Sequence, residues 1–241
     1  MKLFATLLIS IVLQLSISNA QTKENLDYST IFYDSYLNAT NYLITNKWML
    51  DTLQKRGVEP FIAISVVFPE LLRYNKLKDL IEVSALKTLY IQYGKTYSDF
   101  SIGRFQIKPS FAENIEIEWN KLLLKPCELS KIVFDTANTK NNRVMRIQRM
   151  DNDYGQLLYL SLFYIILDSK YSSFFNNDIN KVLFFATAYN YGFNKDFNKI
   201  NSHIGTKEFH IDLFKTENTK CYSYSAISLF FYSNLKKYRI K

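Results

Sequence analysis

One acidic side chain stands directly against the most apolar part of the sequence. Glu70 follows the apolar run 61–68 and Pro69 in the stretch "FIAISVVFPELLRY". An acid among apolar neighbours is desolvated, which raises its pKa, keeps it protonated near neutral pH and lets it act as a general acid. The same residues allow another interpretation, in which Pro69 begins a new helix and Glu70 is a solvated acid in its first turn.

A second segment, "YSDFSIGRFQIKPSF" at 97–111, places a glycine and a glutamine between bulky apolar residues. Gly103 offers backbone freedom that other residues lack, and the Gln106 amide needs hydrogen-bond partners if it is buried. This combination is typical of a turn that positions a polar side chain. The alternative is the start of a helix in which Gln106 satisfies only local backbone groups.

The other reactive side chains form no pattern of a metal site or an activated nucleophile. The two histidines, His203 and His210, make no HExxH pair and no evident triad with a serine or cysteine. The sequence also lacks the GxGxxG and GxxxxGK[ST] loops that hold phosphates. We therefore expect neither a metal ion nor a cofactor, and carboxylate chemistry remains.

Residues 1–20 have the organisation of a secretory signal peptide. Lys2 provides a basic start, residues 3–17 are almost wholly apolar, and the small-x-small signal "SNA" ends at Ala20. We predict cleavage after Ala20 and an exported mature chain in the periplasm or outside the cell. No later segment of the sequence stays apolar for long enough to cross a bilayer.

The charge and the cysteines are interpreted in that setting. Thirty lysines and arginines against 22 aspartates and glutamates give a formal net charge of +8, which favours an anionic polymer or a membrane surface as a neighbour. Nucleic acid is not expected, because the chain is predicted to be exported and its basic residues are scattered. An ordinary lysine-rich surface explains the same charge. Cys127 and Cys221 predict one disulfide between the middle of the chain and its C-terminal segment.

The elements that must position these residues are mainly helices. Gly57, Gly94 and Gly192 are expected to end helices. Apolar and aromatic residues recur at helical spacing over 28–56, 60–93, 111–124, 155–170 and 180–191. The best strand candidate is "FHIDLFK" at 209–215. The predicted fold class is mainly α, with little or no β structure.

Three motifs occur in the order that they have in the lysozyme-like superfamily of lytic transglycosylases. That family has a catalytic glutamate on a helix, then G-x-M-Q-hydrophobic-x-P, then A-Y-N-A-G. Here Glu70 is followed by "GRFQIKP" at 103–109 and "AYNYG" at 188–192, so the chain resembles the family over about residues 55–197. The resemblance implies a lysozyme-like helical domain over 21–197 with a catalytic cleft, and a C-terminal extension, 198–241, packed on it.

The resemblance also implies roles for individual residues. Glu70 is the expected catalytic acid, and Gly103 and Gln106 are expected to build the cleft wall opposite it. The Tyr189 hydroxyl is expected near the catalytic carboxylate, with Ser101 and Asn190 among the residues that bind substrate. The alternative for the last motif is a core tyrosine at a helix end that Asn190 and Gly192 merely cap.

The sequence departs from the family pattern at two points. Leu71 stands where a serine usually follows the glutamate, and the interval between Glu70 and Gly103 is much longer than usual. We expect an inserted or extended helix to fill this interval.

A lysozyme that retains configuration needs a second carboxylate about 5 Å from the acid. When the animal-lysozyme pattern is laid on this sequence, Ser101 falls where that aspartate would be, and Asp99 lies two residues earlier. A single-glutamate mechanism fits better, in which Glu70 protonates the glycosidic oxygen and then takes a proton from the sugar's own 6-hydroxyl. The expected function is a peptidoglycan lytic transglycosylase that cleaves the bond between N-acetylmuramic acid and N-acetylglucosamine.

Two other functions stay open at this point. A lysozyme-like module without chemistry would bind glycan strands or cell-envelope proteins, and the long interval and the missing serine favour it. A hydrolytic muramidase would use Asp99 as the partner of Glu70. Peptidoglycan glycan strands are the expected partner of the enzyme in either form.

Overall fold

The structure, a computed structural model, describes residues 26–74, 76–212 and 216–239. The predicted signal peptide and its cleavage point at Ala20 therefore lie outside the described residues. The helices are α1 Tyr28–Ile31, α2 Tyr33–Thr45, α3 Trp48–Lys55, α4 Pro60–Arg73, α5 Lys76–Tyr93, α6 Pro109–Lys121, α7 Lys140–Met150, α8 Asp153–Tyr171, α9 Asp178–Tyr191, α10 Phe197–Ser202 and α11 Tyr224–Arg239.

This architecture confirms the predicted mainly-α class. The sheet that the described residues form has two short antiparallel strands, β1 Lys207–Phe209 and β2 Tyr222–Ser223. The strand predicted over 209–215 is wrong in position, since β1 ends at Phe209, while 213–215 lie outside the described residues. No helix in the described ranges has the length and apolarity that crossing a membrane requires.

Helix α4 lies at the centre of the core. Its start is well defined, because Pro60 occupies the first turn and the Glu59 carboxylate accepts a hydrogen bond of 2.6 Å from the Ile62 N–H. Every residue from 62 to 72 is buried. A helix that is apolar on all sides needs neighbours on all sides, and α2, α3, α8, α9 and α11 supply them.

Pro69 lies inside α4 rather than at the start of a new helix. The interpretation of Glu70 as a solvated acid in a first turn is therefore wrong, since its exposed fraction is 4%. The helix ends at Arg73, and α5 occupies the long interval before Gly103, as expected for an inserted helix.

The C-terminal segment contributes to the same core. Helix α11 packs against both α4 and α9. The Phe231 ring stacks on the Phe68 ring of α4, with 3.6 Å between the ring centroids. Residues that follow 55–197, the part with the family resemblance, therefore complete the packing around α4.

Three further helices are joined by a buried charge network. The Glu116 side chain of α6 is 1% exposed, and its Oε2 accepts hydrogen bonds from Arg146 Nε at 3.0 Å and Nη2 at 2.5 Å. Its Oε1 accepts from Arg149 Nη1 at 2.9 Å and from the Tyr159 hydroxyl at 2.6 Å. Both oxygens are therefore fully used, and α6, α7 and α8 are tied at one point.

Glu116→Gln should destabilise the protein by about 3–5 kcal/mol, because it removes the nearest counter-charge of the buried Arg146 guanidinium and leaves the Glu113 carboxylate, at 3.3 Å, as its remaining ion-pair partner. The matched control is Glu118→Gln on the same helix, where the ion pairs with Lys121 and Lys170 are more exposed and the cost should be about 1 kcal/mol or less. Urea unfolding of both variants measures the free energies. Equal losses in the two variants would contradict this account of the network.

Candidate active site

A polar cavity of about 410 Å³ lies beside the C-terminal end of α4. Five of the predicted site residues line it, although they come from three distant parts of the chain: Glu70, Ser101, Gln106, Tyr189 and Asn190. Folding therefore brings the three motifs to one place. The sixth residue, Gly103, is not part of the described lining, and its role is structural.

The Glu70 carboxylate is the buried acid of this cavity. Its Oε2 accepts a hydrogen bond of 2.6 Å from Arg73 Nη2, one helical turn later. The Tyr224 hydroxyl lies close to the same carboxylate, although not in good hydrogen-bond geometry. Burial raises the pKa of Glu70, while the charge and hydrogen bond of Arg73 and the more distant charge of Lys108 oppose the rise. The proton is therefore held more tightly than in an ordinary glutamate.

Two buried tyrosines flank the Glu70 carboxylate. Burial, and then the charge of Glu70, raise the pKa of both Tyr189 and Tyr224. The Tyr189 hydroxyl donates a 2.7 Å hydrogen bond to the Phe105 carbonyl. The Tyr224 hydroxyl lies close enough to Glu70 for the two groups to interact electrostatically. It has no hydrogen-bond partner of good geometry among the described residues. Sequence reasoning missed Tyr224, because it begins α11, outside the motifs, and nothing in its local sequence marks it.

Tyr189 serves the core and the cavity together. Its ring lies 5.0 Å from the Phe111 ring and 5.3 Å from the Phe163 ring, centroid to centroid. Gly192, with a φ of +120°, ends α9 and donates its N–H to the Ala188 carbonyl at 3.0 Å. Both interpretations of the "AYNYG" motif thus describe part of the arrangement, since the tyrosine is a core residue whose hydroxyl lies near Glu70.

The segment 102–107 is a tight hairpin that leads into α6 at Pro109, so the alternative, a helix start whose Gln106 satisfies local backbone groups, describes part of the arrangement. Ile102 and Ile107 exchange two backbone hydrogen bonds, of 2.9 and 3.1 Å. Gln106 has a φ of +49°, the one positive φ of a non-glycine residue in the described ranges. Its Nε2 donates to the Gly103 carbonyl at 2.7 Å, so the amide closes its own turn while it lines the cavity.

The need for glycine at 103 has two causes, of which backbone freedom was expected and a close side-chain contact was not. Gly103 has a φ of +68°, and a Cβ there would overlap the side-chain amide of Gln156 on α8. The Oε1 of that amide accepts a 2.8 Å hydrogen bond from the Phe105 N–H. Gly103 therefore also makes room for the Gln156 side chain, which supports the hairpin.

Asp99 lines the same cavity, but its oxygens are engaged elsewhere. Oδ1 accepts a 2.9 Å hydrogen bond from the Ser110 N–H, and Oδ2 accepts one of 2.7 Å from the Ser110 hydroxyl. The carboxylate thus holds the first turn of α6. This engagement makes it a poor nucleophile.

The cysteines and potential metal ligands lie apart from this arrangement. Cys127 and Cys221 are both free thiols, so the predicted disulfide is not formed in this structure. The Cys221 sulfur lies 3.8 Å from the nearby Thr219 carbonyl instead. The disulfide prediction failed because the number of cysteines in a sequence does not show how far apart they lie in the fold. Within the described residues, no group of three or more His, Cys, Asp or Glu side chains could hold a metal ion.

Compared with models of protein families, with curated proteins and with solved structures, the chain gives no match. The functional argument therefore depends on the three motifs and on the cavity in which they meet. A cavity that joins a buried acid to aromatic and amide side chains is typical of a ligand site.

Gly103→Ala should destabilise the protein more than Gly205→Ala does. Both glycines have a positive φ, but a Cβ at Gly205 would meet nothing within 4 Å, so that variant carries only a backbone cost of about 1–2 kcal/mol. The clash with Gln156 should add about 1–3 kcal/mol at Gly103. Thermal and urea unfolding compare the two variants, and equal losses would remove Gln156 from the explanation.

Glu70→Gln should become progressively more stable than wild type as the pH rises. The folded-state pKa of Glu70 is raised, so its contribution is fully present below the unfolded pKa and is lost as the pH rises through the folded value. Gln does not ionise and escapes this loss. Melting temperatures between pH 4 and 8 measure the difference, and each 1 kcal/mol should appear as roughly 2–4 °C.

The control for this pH dependence is Glu118→Gln. Hydrogen bonds from Lys121 and Lys170 lower the pKa of Glu118, so wild type gains stability above the unfolded pKa and loses it as the pH falls. The difference between variant and wild type should therefore run in the opposite direction and be small. A Glu70→Gln advantage that shrinks with rising pH would contradict the raised pKa.

Proposed function

We propose that this protein is a peptidoglycan lytic transglycosylase that acts outside the cytoplasm. It cleaves the glycosidic bond between N-acetylmuramic acid and N-acetylglucosamine, with Glu70 as the single acid and base. The observation that carries the proposal is a buried glutamate of raised pKa that shares one cavity with Gln106 and Tyr189. A carboxyl group whose pKa is raised keeps its proton to higher pH, which favours protonation of a glycosidic oxygen.

The chemistry needs one carboxyl group and the substrate's own hydroxyl. Protonated Glu70 donates to the bridging oxygen, and the bond from that oxygen to C1 of the muramic acid breaks. The 6-hydroxyl of the same sugar attacks C1, and its proton returns to Glu70. The Arg73 guanidinium, 2.6 Å from Glu70 Oε2, stabilises the carboxylate between the two transfers.

One observation favours a second candidate, a glycan- or envelope-binding module without chemistry. An arginine already paired with Glu70 stabilises the anionic form, which cannot donate a proton. We place this candidate second because burial outweighs that cation in its effect on the pKa. A hydrolytic muramidase has weaker support, since both Asp99 oxygens are engaged by Ser110.

The purified mature chain, incubated with peptidoglycan, should release fragments that end in 1,6-anhydro-muramic acid. Glu70→Gln should slow their release by roughly 10²–10⁴-fold, because general acid–base catalysis contributes that much. Asp99→Asn is the control and should keep the same product. Mass spectrometry distinguishes the anhydro end from a reducing end by one water.

Three outcomes would redirect the assignment. Reducing ends that disappear in Asp99→Asn would show a hydrolase with Asp99 as the partner of Glu70. Binding to insoluble peptidoglycan without release of fragments would favour the module. An unchanged rate in Glu70→Gln would remove Glu70 from the chemistry.

A further inference from the structure

A second polar cavity, of about 700 Å³, adjoins the first through the same two elements. At the end of α4, Leu71 and Tyr74 line the second cavity, whereas their neighbours Glu70 and Arg73 line the first. In the hairpin, Arg104 lines the second cavity and Gln106 lines the first. A ligand bound at Glu70 is therefore separated from the second cavity only by the end of α4 and the hairpin, whose residues line both. We call this second space the Arg104 cavity.

The Arg104 guanidinium packs against two aromatic rings. Its guanidinium carbon is 4.0 Å from the centroid of the Tyr42 ring and 4.7 Å from that of the Tyr74 ring. Rings on the faces of a guanidinium fix its plane and leave the N–H groups at its edge for a partner in that plane. The side chain is thus held in place before any ligand arrives.

Arg104 has no hydrogen bond or ion pair with the described residues. The other arginines with described side chains all donate hydrogen bonds: Arg56, Arg73, Arg143, Arg146 and Arg149. Arg104 is therefore the exception in that set. A planar cation with free N–H groups is suited to a carboxylate, which it binds through two parallel hydrogen bonds.

The rest of the lining indicates what surrounds that carboxylate. Burial, and then the charge of Asp153 and a hydrogen bond to it, raise the pKa of Tyr42, so Asp153, which lines the same space, lies at the Tyr42 hydroxyl. Asn38 and Asn41 add amides that both donate and accept hydrogen bonds, whereas the Asn46 amide is already paired with Tyr42 and Trp48. A cation beside amides matches a peptide, which combines a carboxylate with N–H and C=O groups.

We propose that the Arg104 cavity binds a carboxylate-bearing peptide, with the carboxylate on Arg104. The identity of that peptide rests on the proposed function: it is the peptide that peptidoglycan carries on its N-acetylmuramic acid residues. Because the peptide branches from the sugar whose bond is cleaved, a sugar at Glu70 brings its peptide to the neighbouring space. The protein then selects glycan that still bears peptide.

The first test measures binding and needs no cleavage. The probe is an N-acetylmuramyl dipeptide that ends in a free carboxylate, compared with the same compound whose carboxylate is an amide. Calorimetry or ligand-observed NMR should show wild type binding the acid roughly tenfold more tightly than the amide. Arg104→Gln should lose this preference.

The control variant is Lys125→Gln, which also removes a cation over an aromatic ring, that of Trp119, but lines neither cavity. It should bind both compounds as wild type does. Arg104→Lys keeps the charge without the planar fork and should recover only part of the preference, and melting temperatures show that each variant is folded. Equal binding of acid and amide by wild type, or an intact preference in Arg104→Gln, would overturn the proposal.

A second test separates this proposal from the proposed function. Wild type should cleave peptide-bearing glycan strands faster than strands from which an amidase has removed the peptides, and Arg104→Gln should cleave both alike. If Arg104→Gln keeps the wild-type preference, the Arg104 cavity is not the peptide site although the enzyme is confirmed. If wild type cleaves neither substrate, the proposed function fails, and the binding comparison still decides the role of Arg104.

Discussion

The burial of one carboxylate inside α4 is the constraint on which the site depends. A carboxylate taken out of water costs several kcal/mol unless it is paired or protonated. Glu70 stands at the end of eleven consecutive buried positions, 62–72, where the helix has no solvent-facing side. Arg73 supplies one partner and the cavity supplies the remaining open side. The helices packed around α4 bury Glu70, and this burial is the largest effect on its pKa.

The hairpin at 102–107 is the second fixed part of the site, and it is held by strained residues. Gly103 and Gln106 both have a positive φ, a backbone conformation that residues other than glycine rarely adopt. Gln156 and Tyr189 hold the turn from two other helices, by hydrogen bonds to the N–H and the carbonyl of Phe105. Both hydrogen bonds fix the backbone of Phe105. Its neighbours Arg104 and Gln106, which line the two different cavities, are positioned by the same contacts.

Much of this arrangement could be predicted from the sequence, for physical reasons that differ between elements. Helices α4, α6, α8 and α9 carry strong apolar patterns, so their existence was evident, as was the desolvated position of Glu70. Helix α7 was missed because its buried face is built from Arg143 and Arg146, which no apolar pattern marks. The strand was misplaced because β1 is only three residues long. Tyr224 and the pairing of Arg73 with Glu70 depend on tertiary packing, which local sequence does not encode.

The two buried glutamates of the described chain differ in how completely they are paired, which is why Glu70, and not Glu116, is the candidate acid. Glu116 accepts hydrogen bonds from four donors that occupy both oxygens, so it has no capacity left for a ligand. Glu70 accepts one hydrogen bond of good geometry, on Oε2, and the buried Tyr224 hydroxyl lies close to it. Native proteins rarely leave buried polar groups with so few partners unless a ligand or a reaction uses them. Arg104 is half-buried and makes no hydrogen bond or ion pair with the described residues, whereas the other arginines with described side chains are paired. Incomplete pairing at these two residues, on adjoining cavities, is what a substrate with both a sugar and a charged peptide would complete.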